Sequence, residues 1–147
     1  MAATYAVYGD ILGAIYKKYA DVAALNSQTF DTTSMYFSEA PPGADMPYIV
    51  VDVIDIIPFY TFGNLGTPVE EARVSFFVAD NDADLTTISN ILNIIEASYG
   101  INGSGLTFTS STYSDLNSTI KIMFDGFQRF DGVWSATVDY TFRLKKA

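Results

Sequence analysis

The stretch Glu39–Ile57 reads E-A-P-P-G-A-D-M-P-Y-I-V-V-D-V-I-D-I-I, and its reading decides the fold. Pro41-Pro42-Gly43 cannot continue a helix and marks a turn. Pro47 suits the first residue of a strand, where its missing N–H is tolerated. From Tyr48 to Ile57 nearly every residue is β-branched or aromatic, which fits a pleated, buried surface. The run is expected to be the central strand of a sheet. Strict alternation puts Tyr48, Val50, Ile54 and Ile56 on one face and Ile49, Val51, Val53 and Ile57 on the other. Both faces are then apolar, and Asp52 and Asp55 point opposite ways.

Upstream, Tyr8, Ile11, Leu12, Ile15, Tyr16 and Tyr19 recur at helical spacing, with Thr4 as the expected N-cap. Gly9 and Gly13 share one face of that helix, where a second backbone could come close. Met35-Tyr36-Phe37 reads as a short strand leading into the proline turn.

Downstream, the strand runs toward Phe62 with Pro58 as an interruption or bulge. Gly63–Pro68 is a loop, and Val69–Ala79 is the next strand, paired with the central one as a long hairpin. Asp80-Asn81-Asp82-Ala83-Asp84 precedes a second helix. Its apolar stripe is Leu85, Ile88, Leu92, Ile95 and Tyr99, with Gly100 closing it. Ile94 lies off the stripe. The Gly/Ser/Thr/Asn-rich stretch from Gly100 to Ser118 reads mostly as loop.

The C-terminal run alternates cleanly: Trp134, Ala136, Val138, Tyr140, Phe142 and Leu144 against Ser135, Thr137, Asp139, Thr141 and Arg143. Its hairpin partner carries Ile120, Ile122 and Phe124. A three-residue loop, Phe130-Asp131-Gly132, pairs Phe124 with Val138 and Ile122 with Tyr140, which keeps the apolar set together. A two-residue turn would instead set Asp125 against Val138. The order is α-β-β-β-α-β-β. The class is α+β, a mainly antiparallel sheet of about five strands with two helices packed on one face. The 147 residues make a single domain, 1–147.

Composition narrows the chemistry. There is no Cys and no His, which removes disulfides, thiolates, and the commonest general base and metal ligand. The net charge is −9, from 17 acidic and 8 basic residues, so no phosphate-neutralising patch is visible. Lys17-Lys18 and Arg143-Leu144-Lys145-Lys146 read as a solvated helix face and a charged chain end. No run is apolar enough to cross a membrane, and the N-terminal residues do not read as a signal peptide. Asp80-x-Asp82-x-Asp84 opens like a calcium loop, but Leu85 and Ile91 stand where that pattern needs Gly and Glu. Acidic residues at a helix start are the better reading. Gly103-Ser104-Gly105 does not complete a nucleophile elbow, and no phosphate-cradling loop occurs. No catalytic, cofactor-binding or metal-binding residue is assigned, no cofactor is implied, and the protein is not expected to be an enzyme. What remains is more apolar sheet surface than two helices cover, which implies a partner.

The succession of features resembles the phage tail terminator, or tail completion, family. The residues that carry it are the N-terminal stripe helix, A-P-P-G-A-D-M-P-Y-I-V-V at Ala40–Val51, the strand Arg73–Ala79, the acidic turn, the helix Leu85–Ala97, and the hairpin at Asp131-Gly132. The resemblance spans nearly the whole chain. It implies an α+β virion subunit, assembled in the host cytoplasm, that forms a homo-oligomeric ring, six-membered in that family. The ring caps the tail tube at its head-proximal end, stops polymerisation and meets the head completion or stopper protein. DNA would pass through the lumen without specific binding, and no membrane is involved. Another neck component and a small-ligand binding module are the alternative readings.

The candidate contact residues are Phe59, Tyr60, Phe62, Asn64, Leu65 and Ile94. Replacing Tyr60 and Phe62 by Ser is expected to weaken ring formation and tail joining while leaving the fold intact. Native mass measurement beside a thermal melt checks this.

Overall fold

In the computed structural model the described residues are 2–59, 69–101, 103, 105–108 and 113–146. The elements are α1 (Ala2–Asp21), α2 (Ala23–Asn26), β1 (Met35–Phe37), β2 (Tyr48–Phe59), β3 (Val69–Asp80), α3 (Thr86–Tyr99), β4 (Tyr113–Asp115), β5 (Ile120–Phe130) and β6 (Val133–Lys146). The class is α+β. The sheet has six strands in the order β1-β2-β3-β6-β4, with β5 also paired to β6. β1 runs parallel to β2, and the other described pairs are antiparallel. The short α2 and β4 come in addition to the expected elements. β4 arises inside the stretch that reads as loop, because Tyr113–Asp115 pairs with the end of β6 from Leu144 to Lys146.

The turn before β2 follows its sequence. Gly43 has φ 75° and the Ala44 N–H donates to the Pro41 carbonyl at 3.1 Å. Pro42 then Gly43 is the residue order a type II turn requires. The Met46–Pro47 peptide is cis.

β2 and β3 pair from Tyr48↔Ala79 to Phe59↔Val69, as the long hairpin expected. The irregularity lies at Ile54, between Val53↔Val74 and Asp55↔Arg73. Pro58 sits in the ladder opposite Glu70. That placement is tolerated because β1 pairs only Ile49–Val51, leaving the rest of β2 at the sheet's edge among the described residues. The extra residue at Ile54 inverts the alternation beyond it. Asp52 pairs with Ser75 and Asp55 with Arg73, two positions apart on β3, so both acids share one face. Ile56 joins Ile49, Val51 and Val53 on the helix-covered face, and Ile57 turns out to be 55% exposed. The strict-alternation reading is corrected on all of these.

The β5–β6 turn holds two residues, Asp131 (φ 51°) and Gly132 (φ 77°), between Phe130↔Val133. Two positive φ values suit a type I′ hairpin. Phe124 nonetheless meets Val138, because one extra residue is taken up between Asp125 and Gln128. A second extra residue between Lys121 and Met123 places Lys121, not Ile122, opposite Tyr140. The expected Phe124 register therefore holds, but by a bulge rather than a longer loop.

Between the helices and the sheet lies the core: Ile11, Ile15 and Tyr19 of α1, Ile88, Ile91, Ile95 and Tyr99 of α3, and Val74, Phe76, Val138, Tyr140 and Phe142 of the sheet. Ile91 belongs to the buried set, Leu92 to its margin. Tyr99 ties the helices together: its hydroxyl donates to the Ile15 carbonyl at 2.7 Å and its ring lies 4.8 Å from Phe76. Burial pushes that hydroxyl's pKa well above the usual tyrosine value. Thr4 lies inside α1 rather than capping it. Gly9 and Gly13 have open space beside them, with no close backbone among the described residues. Gly100 has φ −73° and needs no left-handed freedom. A Cβ there would collide with the Glu96 carbonyl, so glycine is required by space.

Tyr99→Phe is expected to cost about 1 kcal/mol, the net worth of one buried hydrogen bond. A urea melt should show a lower midpoint with an unchanged slope.

Candidate assembly surfaces

Apolar area left exposed by the fold is concentrated on β5. Every residue from Ile120 to Phe130 is exposed, on both faces of the strand. Ile122, Met123 and Phe124 are each more than 40% exposed, and Phe130 at the hairpin tip is 85% exposed. The reason is positional. β5 pairs only with β6 among the described residues, and α3 meets it only along one border. Chains that stay single seldom leave such a strip in water.

Between α3 and β5 this strip borders a groove of about 230 Å³. Leu92 forms the helix wall, and Phe124 and Phe127 form the strand wall, their rings 5.6 Å apart. The Lys121–Glu96 ion pair spans the same groove at 3.2 Å. Tyr140 lies at its floor, fully buried. Burial, with Glu96 nearby, pushes the Tyr140 hydroxyl up to about 12.

The helix-free face of the sheet is the second surface. Along β3 and β6 it is polar: Glu71, Arg73, Ser75, Thr137, Asp139, Thr141 and Arg143. Arg73 donates to Asp139 at 2.9 Å and Arg143 to Glu71 at 3.2 Å. Toward β2 it turns apolar and concave. Tyr48, Val50, Ile54 and Phe77 line a depression of about 490 Å³, with Glu39 and Asp52 among its acidic residues. Its apolar content was expected; its confinement to the β2 side was not. The alternation of β6 signals that restriction, since each residue between its core positions is polar.

The predicted contact residues are only partly placed by the fold. Tyr60, Phe62, Asn64 and Leu65 lie outside the described residues, as does the expected loop Gly63–Pro68. Phe59 ends β2. Ile94 is on α3, half-buried and packed against the core, so it belongs to the covered side and not to the leftover face. The β5 strip went unselected, although Ile120, Ile122, Phe124, Phe127 and Phe130 within eleven residues are the signal that could have found it.

At the start of α3 the N-cap position falls on Leu85, which makes no side-chain cap, and the first turn holds no acidic residue; the acidic segment lies just before it. Asp84 accepts the Thr86 N–H at 3.0 Å and Asp82 accepts the Thr87 hydroxyl at 2.7 Å. Asp80 is only 1% exposed, and burial raises its carboxyl above the usual range. Among the described residues no group of three or more acidic side chains could hold a metal ion. No described helix is long and apolar enough to cross a membrane.

No protein-family model matches the chain, and no curated protein matches it in sequence. In three dimensions it is similar to a chain of the virion of a native gene transfer agent particle. That likeness has a TM-score of 0.73 at 14% identity, over 96% of this chain and 98% of the other. The two share a fold from end to end.

Above pH 10 the native state is expected to lose stability, because unfolded tyrosines ionise near 10 while Tyr140 resists ionisation until about 12. Tyr140→Phe removes that share of the loss. Urea melts between pH 9 and 12 should show a shallower decline for the variant.

Proposed function

We propose that this chain is a structural virion protein of the tail terminator type. Copies of it close into a ring, six-membered as the family resemblance implies. The ring caps the head-proximal end of the tail tube, stops tube growth and offers the surface where the head side joins. The carrying observation is the end-to-end fold likeness to a chain of a gene transfer agent virion. The exposed apolar strip on β5 supports it independently, since a subunit that works inside an assembly has somewhere to hide such a surface.

Partners follow from the reading: further copies of itself, the tail tube protein on one side and the head completion or stopper protein on the other. Localisation is the tail of the particle, after assembly in the host cytoplasm. The chain's −9 charge serves a lumen through which DNA passes, because like charges keep duplex DNA from adhering. The chain supplies no chemistry in this role, so no residue is assigned to catalysis.

A ring by native mass measurement and negative-stain imaging, binding to the open end of purified tail tubes, is the expected outcome. Binding to the portal-side ring in place of the tube end would assign the chain to another neck component. A lone monomer at high concentration with no affinity for either would overturn the proposal. Tight, salt-sensitive binding of duplex DNA would overturn the lumen assignment alone.

A further inference from the structure

We infer that Asp80 is a charge-operated latch: while its carboxyl is neutral, the strap 81–84 and the β5–β6 hairpin tip stay closed on the end of the core, and its ionisation loosens both. The latch works within one chain and does not depend on the ring reading above.

Its position in the sheet is the first support. Ala72, Val74, Phe76 and Val78 send alternate side chains of β3 into the core, and Asp80 is the next in that series. Strand parity therefore turns it to the helix-covered face. A carboxyl stands where every earlier member is apolar, and it is 1% exposed. A charge so far from water is destabilising unless ion pairing or hydrogen bonds compensate for it.

That compensation is incomplete. Oδ1 accepts the Asp82 N–H at 3.3 Å, and the Asn81 backbone adds some support. Oδ2 is buried and has no hydrogen-bond partner among the described residues. Directly opposite in the ladder, and so on the same face, stands Trp134, whose Nε1 is likewise buried without an acceptor. No cation pairs with Asp80 among the described residues.

The charged surroundings act in the same direction. Asp82 and Asp84 on the strap repel the ionised form. β2 brings only Tyr48, opposite the neighbouring Ala79, and the first turn of α3 holds no acidic residue. The hairpin turn adds Asp131, and β5 adds Arg129. The Arg129 guanidinium lies over the Trp134 ring at 5.1 Å and donates to the Ala83 carbonyl at 3.1 Å. It fastens the hairpin to the strap and leaves the carboxyl unpaired.

Burial, with Asp82 and Asp84 behind it, raises the Asp80 carboxyl above the ordinary aspartate value. The folded chain then holds this proton better than the unfolded one. The stability so gained is whole below the ordinary value and is lost as pH rises through the raised one. Beyond that point the carboxylate seeks water. The nearest route is local: the strap opens and releases Arg129, while the long β3–β6 ladder stays paired.

The test reads Trp134, the chain's single tryptophan, which faces the latch. Its emission is expected to change in one step between about pH 3 and 7, with a midpoint above the ordinary aspartate value. Asp80→Asn is expected to abolish the step and keep the emission of the acid side throughout. Asp82→Asn, at an exposed position, is expected to keep the step and lower its midpoint, because one repelling charge is gone. In the parent, amides 81–84 and 129–131 are expected to exchange faster near neutral pH than in acid, after correction for intrinsic rates. Asp80→Asn should remove that difference.

A flat emission profile in the parent, an unchanged step in Asp80→Asn, a midpoint that Asp82→Asn does not lower, or exchange that ignores pH would each overturn the latch. None of these measurements needs an assembled particle, so ring formation is judged separately.

Discussion

The pairing of β3 with β6 governs this molecule. Twelve consecutive residue pairs run from Val69↔Lys145 to Asp80↔Trp134 with no slip. Because side chains alternate along a strand, that register sets Val74, Phe76 and Val78 beside Ala136, Val138, Tyr140 and Phe142 on one face. A shift by a single position would turn the whole set into water. The opposite face receives Arg73, Ser75, Thr137 and Asp139, so the two central strands have one greasy side and one polar side. The helices dock where the grease is. Tyr99 then joins α3 to α1 and to Phe76 in one contact cluster.

Everything at the margins departs from that regularity. β2 carries one extra residue and β5 carries two. Each inserts a local bend and reassigns the side chains beyond it. This is how Ile57 comes to face outward and Ile56 inward, and how a two-residue turn coexists with Phe124 opposite Val138. The regular centre holds the core; the irregular borders carry the exposed apolar side chains.

Legibility in the sequence followed the same division. The clean alternation of β6 reported its face correctly, and so did Ile11, Ile15 and Tyr19 of α1; the stripe of α3 held at Ile88, Ile95 and Tyr99 but missed the buried Ile91. The turn at Pro42-Gly43 announced itself by residue type; the two-residue turn at Asp131-Gly132 did not, because keeping Phe124 opposite Val138 argued for a three-residue loop. The bulges did not, since Ile54 inside V-I-D-I-I looks the same whether or not the ladder slips there. β4 was hidden because three residues, Tyr-Ser-Asp, gain their strand identity from β6 rather than from their own propensity. Ile94 misled for a different reason: a helix wedged over a sheet buries more than its central stripe, so a residue off that stripe still meets core. Among the candidate contacts, apolar residues in a loop drew attention, whereas β5 looked like an ordinary strand until its lack of a covering layer was visible.

The slips in β5 have a consequence for the chain on its own. An exposed strand rich in Ile and Phe is a template for stacking into fibrils, and stacking needs an even row of backbone donors and acceptors. Two interruptions in eleven residues, with Asp125 between them and Lys121 and Arg129 on either side, break that row. The strand is therefore a poor template for edge-to-edge stacking, even though its apolar side chains stay exposed.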